Sequence, residues 1–108
     1  VLDDSGVRNQ IEGGIVQALA VALCEEVKFE NGANVTFGWD DYPILGFDRI
    51  PDIEITILDR GDKHPLGCGE IAMGPTTAAL LNAVTAGLGT RPGALPLTRE
   101  NLVKMLSE

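Results

Sequence analysis

Hydrophobic and polar positions along the chain change period several times, and each change marks a predicted element. From residue 7 to about residue 24, Ile11, Ile15, Ala18, Leu19, Ala22 and Leu23 fall at helical spacing, while Val16, Ala20 and Val21 fill other faces. A helix apolar nearly all round is buried on most sides. The polar stretch before it, Asp3-Asp4-Ser5-Gly6, reads as a turn. Residues 26–30 alternate polar and apolar, the period of a half-buried strand. Asn31-Gly32 is a hairpin turn signal, and residues 34–37 return as the second strand. A connection with aromatic anchors and Pro43 follows. Residues 52–59 alternate again, with Ile53, Ile55 and Ile57 on one face, and are predicted as a third strand. A Gly-, Pro- and charge-rich loop leads to a second apolar helix over residues 75–86, with Pro75 in its first turn and Gly87 or Gly89 at its end. Thr98 is a good N-cap for a short last helix over residues 99–106. The predicted architecture is α+β: one domain over residues 1–108, with two buried helices on one face of a small, mainly antiparallel three-stranded sheet, plus a short C-terminal helix.

Composition narrows the function. Of 108 residues, 44% are hydrophobic and 22% charged, which is globular rather than disordered. The net charge of −8 argues against a nucleic-acid or anionic-membrane surface, since both need clustered Lys and Arg. No apolar run has the length of a membrane span, because Gly13, Gly14 and Gln17 interrupt the most apolar helix. No signal peptide is visible. The chain opens on Val1 without an initiator Met, and it reads as a piece of a longer protein. Cys24, at the end of an apolar helix, is expected to be a buried small hydrophobe. Cys24, Cys68 and one His are too few for a zinc site, so no metal ligand is assigned.

The chemistry-bearing stretch is Gly67-Cys68-Gly69-Glu70, ahead of the apolar run that opens the second helix. Glycines let the backbone come close to a ligand, and a carboxylate beside them can reach a reacting group. The plainer reading makes Glu70 a carboxylate at a helix start, favoured there by the helix dipole. Gly13 and Gly14 each cost about 0.5–1 kcal/mol against Ala inside a helix. They imply either close packing or close approach of a ligand. Gln10 and Gln17 point the same way from a mostly apolar helix and need partners.

Five segments occur in order: Val7-Arg8-Asn9-Gln10-Ile11-Glu12-Gly13-Gly14, Tyr42-Pro43-Ile44-Leu45, Gly67-Cys68-Gly69-Glu70, Pro75 through Asn82-Ala83-Val84, and Leu95-Pro96-Leu97-Thr98. Together they resemble the C-terminal part of the molybdopterin-binding large subunit of the xanthine dehydrogenase/aldehyde oxidase family, most of all its isoquinoline 1-oxidoreductase beta-subunit type. The likeness covers nearly the whole chain but only the last portion of the family's subunit. It implies a molybdenum hydroxylase that oxidises an aldehyde or N-heterocycle carbon with water as oxygen source. It further implies a molybdopterin cofactor in dinucleotide form, carrying molybdenum, and an iron–sulfur electron-transfer subunit as partner besides the remainder of the large subunit. Glu70 matches the family's general base, and Gln10 matches a glutamine that contacts the cofactor. Gly13, Gly14 and Gly69 then become room for cofactor or tight packing. The resemblance also implies that the metal's sulfurs come from the pterin and an inorganic sulfide, which leaves Cys68 a packing residue beside the site.

On this reading the 108-residue piece is inactive and metal-free alone. The carboxylate of Glu70 is expected to be partly shielded from water. Two other readings compete. A cysteine hydrolase would pair Cys68 with His64 as its base, but no orienting third residue is evident. A non-catalytic interaction module would use the glycines and glutamines for packing alone.

Overall fold

A computed structural model describes residues 1–58, 60–61 and 63–107. The first helix, α1, runs Asp4–Leu23. It starts before the predicted residue 7 because Asp3 caps it: the Asp3 carboxylate accepts the Gly6 N–H at 2.9 Å. The polar stretch expected as a turn is therefore its first turn. At the far end the Cys24 N–H closes on the Ala20 carbonyl at 3.0 Å.

The hairpin is where the Asn-Gly pair predicts it. Asn31 (φ 50°) and Gly32 (φ 79°) are both left-handed, as a tight hairpin turn requires. The strands β1 (Phe29–Glu30) and β2 (Ala33–Asn34) pair antiparallel, with Phe29 opposite Asn34 and Glu30 opposite Ala33. They are shorter than predicted and exposed, because an isolated two-stranded ladder has little to hold its ends.

The third strand is not formed, and the sheet among the described residues has two strands rather than three. Residues 52–58 still alternate, with Ile53, Ile55 and Ile57 half-buried and their neighbours exposed. No backbone ladder partner meets them among the described residues, and residue 59 lies outside those residues. Alternation reports the two-sidedness of an extended segment. A strand also needs a neighbour.

After a 3-10 turn at Phe47–Arg49, the second long helix, α2, spans Met73–Leu88. Gly89 (φ 73°) ends it in the left-handed conformation, donating to the Thr85 carbonyl at 2.9 Å. The last helix, α3, spans Arg99–Ser107, and the Thr98 hydroxyl accepts the Asn101 N–H at 3.2 Å, as an N-cap does.

The helices do not lie on the sheet as expected: α1 packs against α2, and the hairpin stands apart from both. The core forms where Ala20 of α1 and Cys24 at its C-terminal cap meet Leu45 from the connection, flanked by Val16, Leu19, Leu23 and Ile50. The Leu97 N–H anchors the later loop on the α1 carbonyl of Ala22 at 2.7 Å. Neither helix is buried to the degree predicted. α1 buries only Ala18, Ala20 and Ala22, and α2 has no fully buried residue. The radius of gyration is 17.1 Å, against about 13 Å for a compact domain of this length. Apolarity of a helix states what it would bury, whereas burial depends on the surfaces that meet it.

Candidate cofactor-facing site

Helix α1 and the glycine loop come together at one bond. The Gln10 side-chain amide donates from Nε2 to the Gly69 carbonyl at 2.8 Å, joining motifs 59 residues apart in sequence. One turn further along α1, Gly14 faces the start of α2. A Cβ there would stand 3.2 Å from the Ala72 Cβ and 3.8 Å from the Met73 Cγ. The close-packing reading thus holds for Gly14. It does not hold for Gly13, where nothing lies within 4 Å of a Cβ position, nor for Gly67 and Gly69, which are equally open.

Glu70 is exposed, so the expected shielding of its carboxylate is not supplied within this chain. An apolar sequence follows it, but α2 starts only at Met73 and leaves Glu70 exposed. Glu70 also does not cap the helix. The N-cap position is Ala72, without a side-chain capping bond, and no acidic residue lies in the first turn. Its backbone carbonyl accepts the Met73 N–H at 3.2 Å, while its carboxylate has no hydrogen-bond or ion-pair partner among the described residues.

A cleft of about 640 Å³ runs beside this junction, lined in part by Val7, Gln10, His64, Leu66 and Cys68. Cys68 is half-buried and a free thiol. It shares the cleft with His64, but no hydrogen bond joins the two among the described residues, so the thiolate–imidazole contact a cysteine hydrolase needs is not formed. Cys24 is buried, as expected. Desolvation pushes its thiol pKa up, and the thiol donates to the Ala20 carbonyl at 3.2 Å. No cluster of three or more His, Cys, Asp or Glu suited to a metal ion exists among the described residues. Gln17 lies apart from the glycine loop, along an open groove with Asn9, Glu12 and Gly13.

Two supports escaped sequence reasoning. Arg8 pairs with Asp4 at 2.7 Å and also donates to the Ile55 carbonyl at 2.8 Å, tying the extended segment to α1. The spacing of Asp4 and Arg8 foretells the first contact, but no local signal foretells the second. The Tyr42 hydroxyl donates to the Glu25 carboxylate at 2.6 Å and fastens the connection to the end of α1.

A family model described as a molybdopterin cofactor-binding domain matches residues 1–51. A nicotinate dehydrogenase polypeptide of Pseudomonas putida, one of that enzyme's subunits, is 37% identical over 102 residues, covering 94% of this chain and 9% of that protein. The beta subunit of isoquinoline 1-oxidoreductase from Brevundimonas diminuta is 32% identical, covering 84% of this chain and 12% of that protein. The crystal structure of quinoline 2-oxidoreductase from Pseudomonas putida 86 superposes with a TM-score of 0.81 at 34% identity, covering 94% of this chain and 14% of that one. The chain belongs to the molybdopterin-binding subunits of the xanthine dehydrogenase and aldehyde oxidase family. It spans 9% to 14% of the length of these relatives.

Proposed function

We propose that this chain supplies one wall of the cofactor site in a molybdenum hydroxylase that oxidises a ring carbon of an N-heterocycle, or an aldehyde carbon, with water as oxygen source. Glu70 is the general base. The chain is inactive alone, and the rest of the large subunit and an iron–sulfur electron-transfer subunit complete the enzyme. Relatives at 32–37% identity are named for nicotinate, isoquinoline and quinoline, and those named for aldehydes are 27–28% identical, which favours the N-heterocycle over the aldehyde.

The residues present fit a molybdopterin cofactor, for which the dinucleotide form is proposed. Gly13, Gly67 and Gly69 present open backbone to an approaching group. The Nε2 of Gln10 is held by Gly69, which leaves its Oε1 as an acceptor for a cofactor N–H. Gly69 lines the approach beside Gln10, Gly13 opens onto the groove it shares with Gln17, and Gly14 keeps the start of α2 close to α1. When bound, the cofactor supplies the two-electron oxidation and the activation of water. Glu70 then accepts a proton at its carboxylate, provided the proton comes within about 2.6–3.2 Å. Cofactor and the remaining subunit would supply the shielding from water that this chain lacks.

The observation that carries this reading is the Gln10–Gly69 bond, which sets the Glu70 carboxylate, without a partner among the described residues, beside open glycine backbone. Glu70→Gln in the complete enzyme tests it. The variant keeps size and hydrogen-bonding capacity but loses basicity. Folding and molybdenum content are expected to stay normal, turnover to fall at least about a hundredfold, and the acidic limb of the pH–rate profile to disappear. A metal-loaded variant turning over near the wild-type rate refutes the assignment.

A further inference from the structure

Helix α1 grips the Glu70 segment at two points on one face. Gln10 and Gly14 are four residues apart, one helical turn, and so lie on the same side. The Gly69 carbonyl that Gln10 holds at 2.8 Å belongs to the peptide unit ending at the Glu70 nitrogen. The Glu70 carbonyl, in the next peptide unit, accepts the Met73 N–H at 3.2 Å. Peptide units are planar. Holding the units on both sides of a residue fixes its φ and ψ, and with them the direction of its Cα–Cβ bond. Only the side-chain torsions stay free. The loop has little else to fix this direction, since Gly67 and Gly69 carry no side chains and have open space around them.

We propose that Gln10 is a positioning residue for Glu70, aiming the carboxylate through the Gly69 carbonyl, and that Gly14 completes the clamp. The absence of a side chain at Gly14 lets Ala72 and Met73 sit against α1, so the Met73 N–H that holds the Glu70 carbonyl is itself anchored. This inference rests on the reading of Glu70 as the general base. It assigns Gln10 a task distinct from cofactor contact, because its amide nitrogen is directed at the protein backbone. Pre-set geometry of this kind matters because a reacting group displaced by about 1 Å loses up to about a hundredfold in rate.

The test uses the complete enzyme with Gln10→Met, which keeps length but removes the donor, and Gly14→Ala, which presses on Ala72. Gly14→Ala is expected to retain molybdenum and KM. Gln10→Met also removes the Oε1 acceptor and can load less, so turnover is read per bound molybdenum, and in both variants kcat per bound molybdenum is expected to fall at least about tenfold. The acidic limb of the pH–rate profile is expected to stay in place, because Glu70 is still the base. In the cofactor-free subunit, amide exchange across residues 69–72 is expected to quicken in Gln10→Met. Lost molybdenum with unchanged turnover per bound metal would make Gln10 a cofactor contact only and overturn the proposal. So would unchanged turnover together with unchanged exchange. A Glu70→Gln enzyme of normal turnover would refute the base assignment instead, with the exchange experiment still reporting on the clamp.

Discussion

Gly13 and Gly14 are neighbours in one helix, and Ala substitution should drive them in opposite directions. Inside a helix each Gly→Ala change gains about 0.5–1 kcal/mol from backbone entropy and propensity. At Gly13 nothing lies within 4 Å of the new Cβ, so the gain should appear in full. At Gly14 the new Cβ would stand 3.2 Å from the Ala72 Cβ and 3.9 Å from the Met73 backbone nitrogen. Carbon contacts are optimal at about 3.5–4.0 Å. The Ala72 Cβ is rooted on the backbone and cannot swing aside, so α1 and the start of α2 must part by a few tenths of an ångström. Overpacking of this kind costs about 1–3 kcal/mol. The propensity gain is common to both sites, so Gly14→Ala is expected to be less stable than Gly13→Ala by about that amount. Urea unfolding of each protein variant measures the difference. A peptide of residues 1–24 provides the control, because without α2 both substitutions should raise its helicity alike. Equal gains for the two variants in the folded protein would refute the packing argument. Gly13→Ala carries a functional corollary: if open backbone there admits the cofactor, the more stable variant should load less molybdenum.

Leu45→Ala empties a contact shared with Ala20 and Cys24 and should cost about 2–3 kcal/mol, the low end for buried Leu→Ala because the site borders an open groove; an unshifted urea midpoint would contradict this core. Tyr42 is the sole tyrosine, so tyrosinate absorbance titrates it alone. Its hydrogen bond to Glu25, then desolvation, raises its pKa above the ordinary 10.0. The contribution to stability is therefore complete below the unfolded value and fades as pH rises through the higher folded value. Tyr42→Phe should flatten that part of the stability profile, and titration of the wild type at an ordinary value would refute the bond.

The sequence by itself settled whatever depends on neighbours in the chain. The Asn31-Gly32 turn, the helix stop at Gly89 (one of the two glycines that residue chemistry offers there) and the Thr98 cap form as residue chemistry predicts, because each needs only a few adjacent backbone groups. The motifs of the family were legible for the same reason: they are short and contiguous. Asp3 shows the limit even of local reading, since a cap and a turn use the same residue types. What tertiary structure alone decided is which separated pieces meet. Residues 52–58 have a strand's alternation, but a ladder needs a partner that no pattern within the segment can reveal. Gly13 and Gly14 are identical in sequence terms, and only the position of Ala72 makes one a packing residue and leaves the other open. The bond from Gln10 to the Gly69 carbonyl spans 59 residues. It exists because α1 and α2 pack together and bring the glycine loop against the side of α1, an outcome fixed by the fit of whole surfaces.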